Sequence, residues 1–85
     1  GALAITSLWP RPARDRVQLT LRAAIGGGVT VTLHDLRGRE VRRRVFSSPL
    51  AEQTQSLDVG GLPDGMYILT AAQDGRRHSV RLLKM

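Results

Sequence analysis

Apolar and polar residues alternate along this chain with a period of two, over short stretches separated by glycine, proline and aspartate. Val17, Leu19 and Leu21 fall on one side of an extended backbone, with Gln18, Thr20 and Arg22 on the other, which is the pattern of a half-buried strand. After the flexible Gly26-Gly27-Gly28 link, Val29, Val31 and Leu33 alternate with Thr30, Thr32 and His34 in the same way. An earlier strand is predicted from Leu3 to Trp9. Pro10 and Pro12 end it, because proline fixes φ and has no N–H to give a ladder. No stretch shows a convincing helical repeat.

Further along, Asp35-Leu36-Arg37-Gly38-Arg39 reads as a tight hairpin in which Gly38 takes a positive φ. In the strand that follows, Val41, Arg43 and Val45 share one face. An arginine inside an otherwise apolar row suits an edge strand, so Arg42-Arg43-Arg44 reads as edge protection before it reads as a ligand patch. A polar connection from Ser47 to Gln53, containing Pro49, leads to a short fifth strand over Thr54 to Val59. The turn cluster Gly60-Gly61-Leu62-Pro63-Asp64-Gly65 then introduces Met66 to Ala72, apolar on both faces as a central strand is. Tyr67, just after that turn, stands where a corner tyrosine binds upstream backbone in immunoglobulin-like sandwiches. Asp74-Gly75 predicts a hairpin into the last strand, Arg76 to Met85, with Val80 and Leu82 inward. Short strands at a spacing of roughly 8 to 12 residues predict an all-β fold, an immunoglobulin-like antiparallel β-sandwich of about seven strands, in preference to a closed barrel.

Length makes this one domain over residues 1–85, and a chain of that size hides only about 60–65% of its unfolded surface. With no cysteine, neither disulfides nor a thiolate metal site supplement the core, so packing holds the fold. The net charge of +6 comes mainly from arginine. Guanidinium forks suit phosphate, so nucleic acid and anionic lipopolysaccharide are both conceivable partners. The charge is nevertheless spread along the whole chain, as on an ordinary soluble surface. Trp9, Phe46 and Tyr67 are the three aromatic residues; a small core is expected to use all of them, which argues against base stacking and against a sugar platform. No apolar run approaches the ~20 residues of a membrane span, and the start does not read as a signal peptide. If the chain reaches the outside of a cell, either an upstream part of a longer protein carries the entry signal or the chain is itself an address.

Candidate chemistry is thin. His34 adjoins Asp35 and serines occur at 7, 47, 48, 56 and 79, but there is no nucleophile elbow and no pair of acids in a glycosidase setting. His78 is the other histidine, and no cysteine or clustered carboxylates accompany the two as metal ligands. The reading is non-catalytic, with no cofactor and no metal.

The order of Trp9-Pro10-Arg11-Pro12-Ala13, then Val31 to Leu36 with Gly38-Arg39-Glu40-Val41, then Leu57-Asp58-Val59 through Gly61-Leu62-Pro63-Asp64-Gly65-Met66-Tyr67, and finally Arg81-Leu82-Leu83-Lys84-Met85, resembles the C-terminal sorting domain of type IX secretion substrates. Trp9 and Arg11 depart from the family's usual Tyr-Pro-Asn-Pro-Ala, while the spacing is kept. The resemblance implies a sorting address fused behind a larger secreted protein of a Gram-negative bacterium. Its implied partners are the type IX secretion machinery and a separate surface sortase that joins the cargo to anionic lipopolysaccharide; the implied location is the periplasm in transit and then the cell surface or exterior. The implied recognition residues are Gly61, Gly65 and Tyr67 at the turn, and Val80, Arg81, Leu82, Leu83, Lys84 and Met85 in the last strand. Arg81, Leu83 and Met85 are expected to project away from Val80 and Leu82, and removal of Lys84-Met85 is expected to spare the fold. Two readings of other classes stand beside this one: a carbohydrate-binding or adhesion module, and a passive immunoglobulin-like spacer.

Overall fold

Each alternating stretch becomes a strand in the computed structural model, which describes residues 3–47 and 50–85. In chain order these are β1 (Ala4–Trp9), β2 (Arg16–Arg22), β3 (Gly28–Asp35), β4 (Glu40–Ser47), β5 (Glu52–Asp58), β6 (Gly65–Gln73) and β7 (Arg76–Lys84). All strand pairs are antiparallel, in a three-stranded sheet of order β1-β2-β5 and a four-stranded sheet of order β4-β3-β6-β7. The two sheets form a sandwich, consistent with an immunoglobulin-like fold. Of the expected polar connection, Ser48 and Pro49 lie outside the described residues, and Glu52 and Gln53 already belong to β5.

The core is what the period of two predicts. Val17, Leu19 and Leu21 of β2 face Val29, Val31 and Leu33 of β3, Leu69 and Ala71 of β6 and Leu82 of β7, all buried. Burying an aliphatic side chain of this kind is worth about 1.5–3 kcal/mol relative to exposure. β6 sits between β3 and β7, as its two-sided apolar sequence requires. The hairpins use the residues the turns demand: Gly38 has φ +86°, and Asp74 and Gly75 take +50° and +79°, the paired positive values of a tight two-residue β-turn. Asp35 anchors the first hairpin, its Oδ1 accepting from the N–H groups of Arg37 and Arg39 and its Oδ2 from Arg39 Nε. Those bonds, led by the Arg39 N–H, hold the Asp35 carboxyl below its ordinary pKa. The Arg43 guanidinium does the same for Glu40.

Two orientations differ from the sequence reading. The first concerns Trp9, expected in the core but 68% exposed. β1 carries a register shift between Ile5 and Ser7, so Thr6 and Ser7 both point outward, Leu8 returns to the core and Trp9 turns to solvent; a bulge inverts the face of everything after it. Of the other aromatics, Tyr67 is buried and Phe46 is partly buried against the core.

The second concerns β4. Phe46, Arg44 and Arg42 stand opposite Val29, Val31 and Leu33, and residues directly opposite share a face. The arginines of β4 that point inward are therefore Arg42 and Arg44, while Arg43 and Val45 point out. β4 is an edge strand, as its arginines suggested, and the two inward arginines reach across the mouth of the sandwich to β5, the edge of the other sheet. Arg42 donates to the carbonyls of Asp58 at 3.1 Å and Gly60 at 2.9 Å, and Arg44 donates to the carbonyl of Ser56. Carbonyls on the unpaired side of β5 gain charge-assisted donors in place of a further strand. On the opposite side of the sandwich, His78 Nδ1 of β7 accepts from Ile5 N–H of β1 at 2.9 Å.

Candidate functional site

Three segments far apart in sequence meet at one end of the sandwich: Pro10 to Ala13, the Gly60 to Gly65 turn, and the end of β7. The turn is set by its own backbone and by Asp58. Gly60 N–H donates to Asp58 Oδ1 at 2.8 Å, and Val59 N–H to the carbonyl of Asp15 at 2.9 Å. Gly61 and Gly65 have φ of +80° and +149°, a region in which any other residue would be strained. Tyr67, buried at the start of β6, donates its hydroxyl to the carbonyl of Pro63 at 2.5 Å. This is the corner tyrosine read from the sequence, and it ties the turn to the core.

The turn delivers β6 in register with the last strand. Gly65 stands opposite Lys84, Met66 opposite Leu83, Tyr67 opposite Leu82, Ile68 opposite Arg81 and Leu69 opposite Val80. Because successive residues alternate faces, Leu82 is fully buried, Val80 packs partly against the core, and Arg81, Leu83 and Met85 are exposed. The outward row thus lies on the face opposite Val80 and Leu82.

Lys84 is placed differently from a presented cation. It follows Leu82 on the inner face and is 7% exposed, with Nζ 3.9 Å from Asp64 Oδ1. Its aliphatic stem covers the end of the core while its ammonium reaches the turn. Asp64 is largely exposed, so the ion pair orients more than it stabilises.

The first of the three segments, Pro10 to Ala13, reaches the end of β7 through Ala13. Ala13 is completely buried and forms a parallel bridge with Lys84. Its N–H donates to the carbonyl of Leu83 at 2.8 Å, and its carbonyl accepts from Met85 N–H at 2.9 Å. One residue therefore occupies the outer edge of β7 at its end. The outer edge of β7 is therefore covered at Ala13, and Leu83 and Met85 present their side chains to solvent there. Further back, β7 has β6 as its one sheet neighbour. The signal for this clamp in the sequence is a small residue directly after the two prolines, the one position in that segment without bulk.

What this end offers chemically is shape and charge. Among the described residues no group of histidine, cysteine, aspartate and glutamate is placed to hold a metal, and no helix is long and apolar enough to cross a membrane. Asp35, the neighbour of His34, has its carboxylate committed to Arg37 and Arg39.

With this geometry, residues 7–85 match the family model described as "Secretion system C-terminal sorting domain". The match begins inside β1 and spans all three segments that converge on β7. No curated protein matches the chain.

Proposed function

Because the chain belongs to the family of secretion system C-terminal sorting domains, a family that marks secreted proteins for the type IX system, we propose that it carries a protein fused upstream across the outer membrane and on to the cell surface without catalysing any step itself. The surface that is read is the outward row of β7, Arg81, Leu83 and Met85, together with the Gly61–Gly65 turn beside it. One observation carries this reading: the segments that resemble the family motif fold onto one another, and the hydrogen bonds of Ala13 to Leu83 and Met85, on either side of its bridge partner Lys84, fix the pose of that row. A row held in a single conformation loses little conformational entropy on docking. The sortase and the anionic lipopolysaccharide act after recognition, on the cargo, and need no group from this domain.

Exposure of Trp9 favours a second reading, since an outward tryptophan on a sheet face is the kind of platform on which a sugar ring stacks. The two separate in one assay. Residues 1–85 appended to a periplasm-directed fluorescent reporter, in a bacterium with a working type IX system, are expected to move the reporter outside the outer membrane. A sugar-binding module or passive spacer leaves it in the periplasm.

A further inference from the structure

Across from the Gly60–Gly65 turn stands the β3–β4 hairpin, and between them runs a groove of about 430 Å³. Leu36 and Val41 line it on the hairpin side, and Pro63, Met66 and Tyr67 on the other. Leu36 is 72% exposed. A single exposed leucine is ordinary, but this one belongs to a connected apolar surface: Met66 shares the groove with it and stands opposite Leu83. The groove is thus continuous with the outward row of β7.

The rim is positive by pairing. Asp35 is bonded to Arg39 at 3.0 Å, and Asp64 faces Lys84, so each acid at the rim already has its own cation. Arg37 also lines the groove, and its guanidinium has no such partner among the described residues. The hairpin that carries Leu36 and Arg37 is held by the Asp35 hydrogen bonds and the turn at Gly38. It is a preformed wall, which lowers the ordering cost of docking.

We propose that this groove seats an apolar side chain of a partner polypeptide and that Arg37 engages a carboxylate beside it. The partner is an acidic, apolar segment of the secretion machinery, so this inference rests on the sorting reading and extends the reading surface from β7 to the β3–β4 hairpin. Unpaired positive charge around an apolar slot selects such a segment, and the buried anchor with a rim charge is the usual layout of a strong contact. A glycan would want an exposed aromatic face, and the groove's one aromatic, Tyr67, is buried.

The reporter fusion tests it with Leu36→Asp, Arg37→Glu and, as a control from the far end of the same sheet face, Arg77→Glu. Leu36 and Arg37 are exposed, so all three variants are expected to keep the parent melting midpoint, measured on the purified domain. Leu36→Asp and Arg37→Glu are each expected to lower the exported fraction on the order of tenfold, with Arg77→Glu exported like the parent. Parent-like export of Leu36→Asp overturns the groove. Loss with Leu36→Asp but not Arg37→Glu overturns the acidic partner, and equal loss with Arg77→Glu makes overall charge the determinant. Failure of the unaltered fusion to leave the periplasm sinks the sorting reading itself, and this inference with it.

Discussion

Leu82→Ala is expected to lower the unfolding free energy by about 3 kcal/mol, within the range of roughly 2–5 for a buried leucine. Leu82 is completely buried and stands opposite Tyr67. It is the one fully buried aliphatic side chain of β7, a strand with a single sheet neighbour. The cavity is not readily filled by collapse of an adjacent strand, because among the described residues no second strand pairs with β7 on its other side, where the Ala13 bridge and the Ile5 N–H bond to His78 lie. For a domain of this size a loss of 3 kcal/mol is a large part of the total stability and moves the melting midpoint down on the order of 15 °C. Calorimetry of the purified domain checks it. A fall of only a few degrees would mean that β7 contributes little to the cooperative unit.

Removing Lys84 and Met85 is expected to cost a comparable amount, about 2–4 kcal/mol from lost hydrogen bonds and lost apolar cover. The sequence alone suggested that this cut spares the fold, and the structure reverses that expectation. Lys84 is buried on the inner face, and Met85 N–H is one of two bonds that fasten Ala13. Without the pair, the Ala13 carbonyl loses its donor and Asp64 its cation. Amide hydrogen exchange gives the distinguishing observation: protection at Ala13 and Leu83 falls in the shortened chain, while protection in β2 and β3 follows global stability. Unchanged protection at Ala13 would contradict the clamp. Export failure of a shortened chain therefore mixes lost recognition with lost structure, and substitutions on the outward row are the cleaner probe.

Much of the fold was legible because one face of most strands is buried. A one-residue slip in β2 or β3 would put Leu19 or Val31 into water, so alternation fixes their facing. Turns that require positive φ announced themselves through Gly38 and Asp74-Gly75, and Tyr67 through its place after a turn. What stayed hidden depends on events that periodicity does not record. The bulge in β1 sends Trp9 outward after a run that gives no sign of it. In β4 the inner face carries Arg42 and Arg44, because at the mouth of the sandwich a guanidinium can lay its stem on the core and its fork on β5 carbonyls. At the candidate site, the outward row of β7 could be read from parity, whereas the burial of Lys84 and the Ala13 bridge follow from a contact between opposite ends of the chain that no local pattern encodes. The hairpin groove was missed because Leu36 read simply as part of a turn.

The central claim is that the exposed row of β7 is a sorting signal separate from its role in the fold. The most direct measurement compares export of the reporter bearing the unaltered domain with the same fusion carrying Arg81→Glu and Leu83→Asp together. Both side chains are exposed on the face opposite the core, so the melting midpoint of the purified double variant is expected to stay within a few degrees of the parent, surface changes usually costing about 0.5 kcal/mol or less. The account predicts that the unaltered fusion reaches the outside of the cell and the folded double variant accumulates in the periplasm. Export of the double variant at the parent level would contradict it.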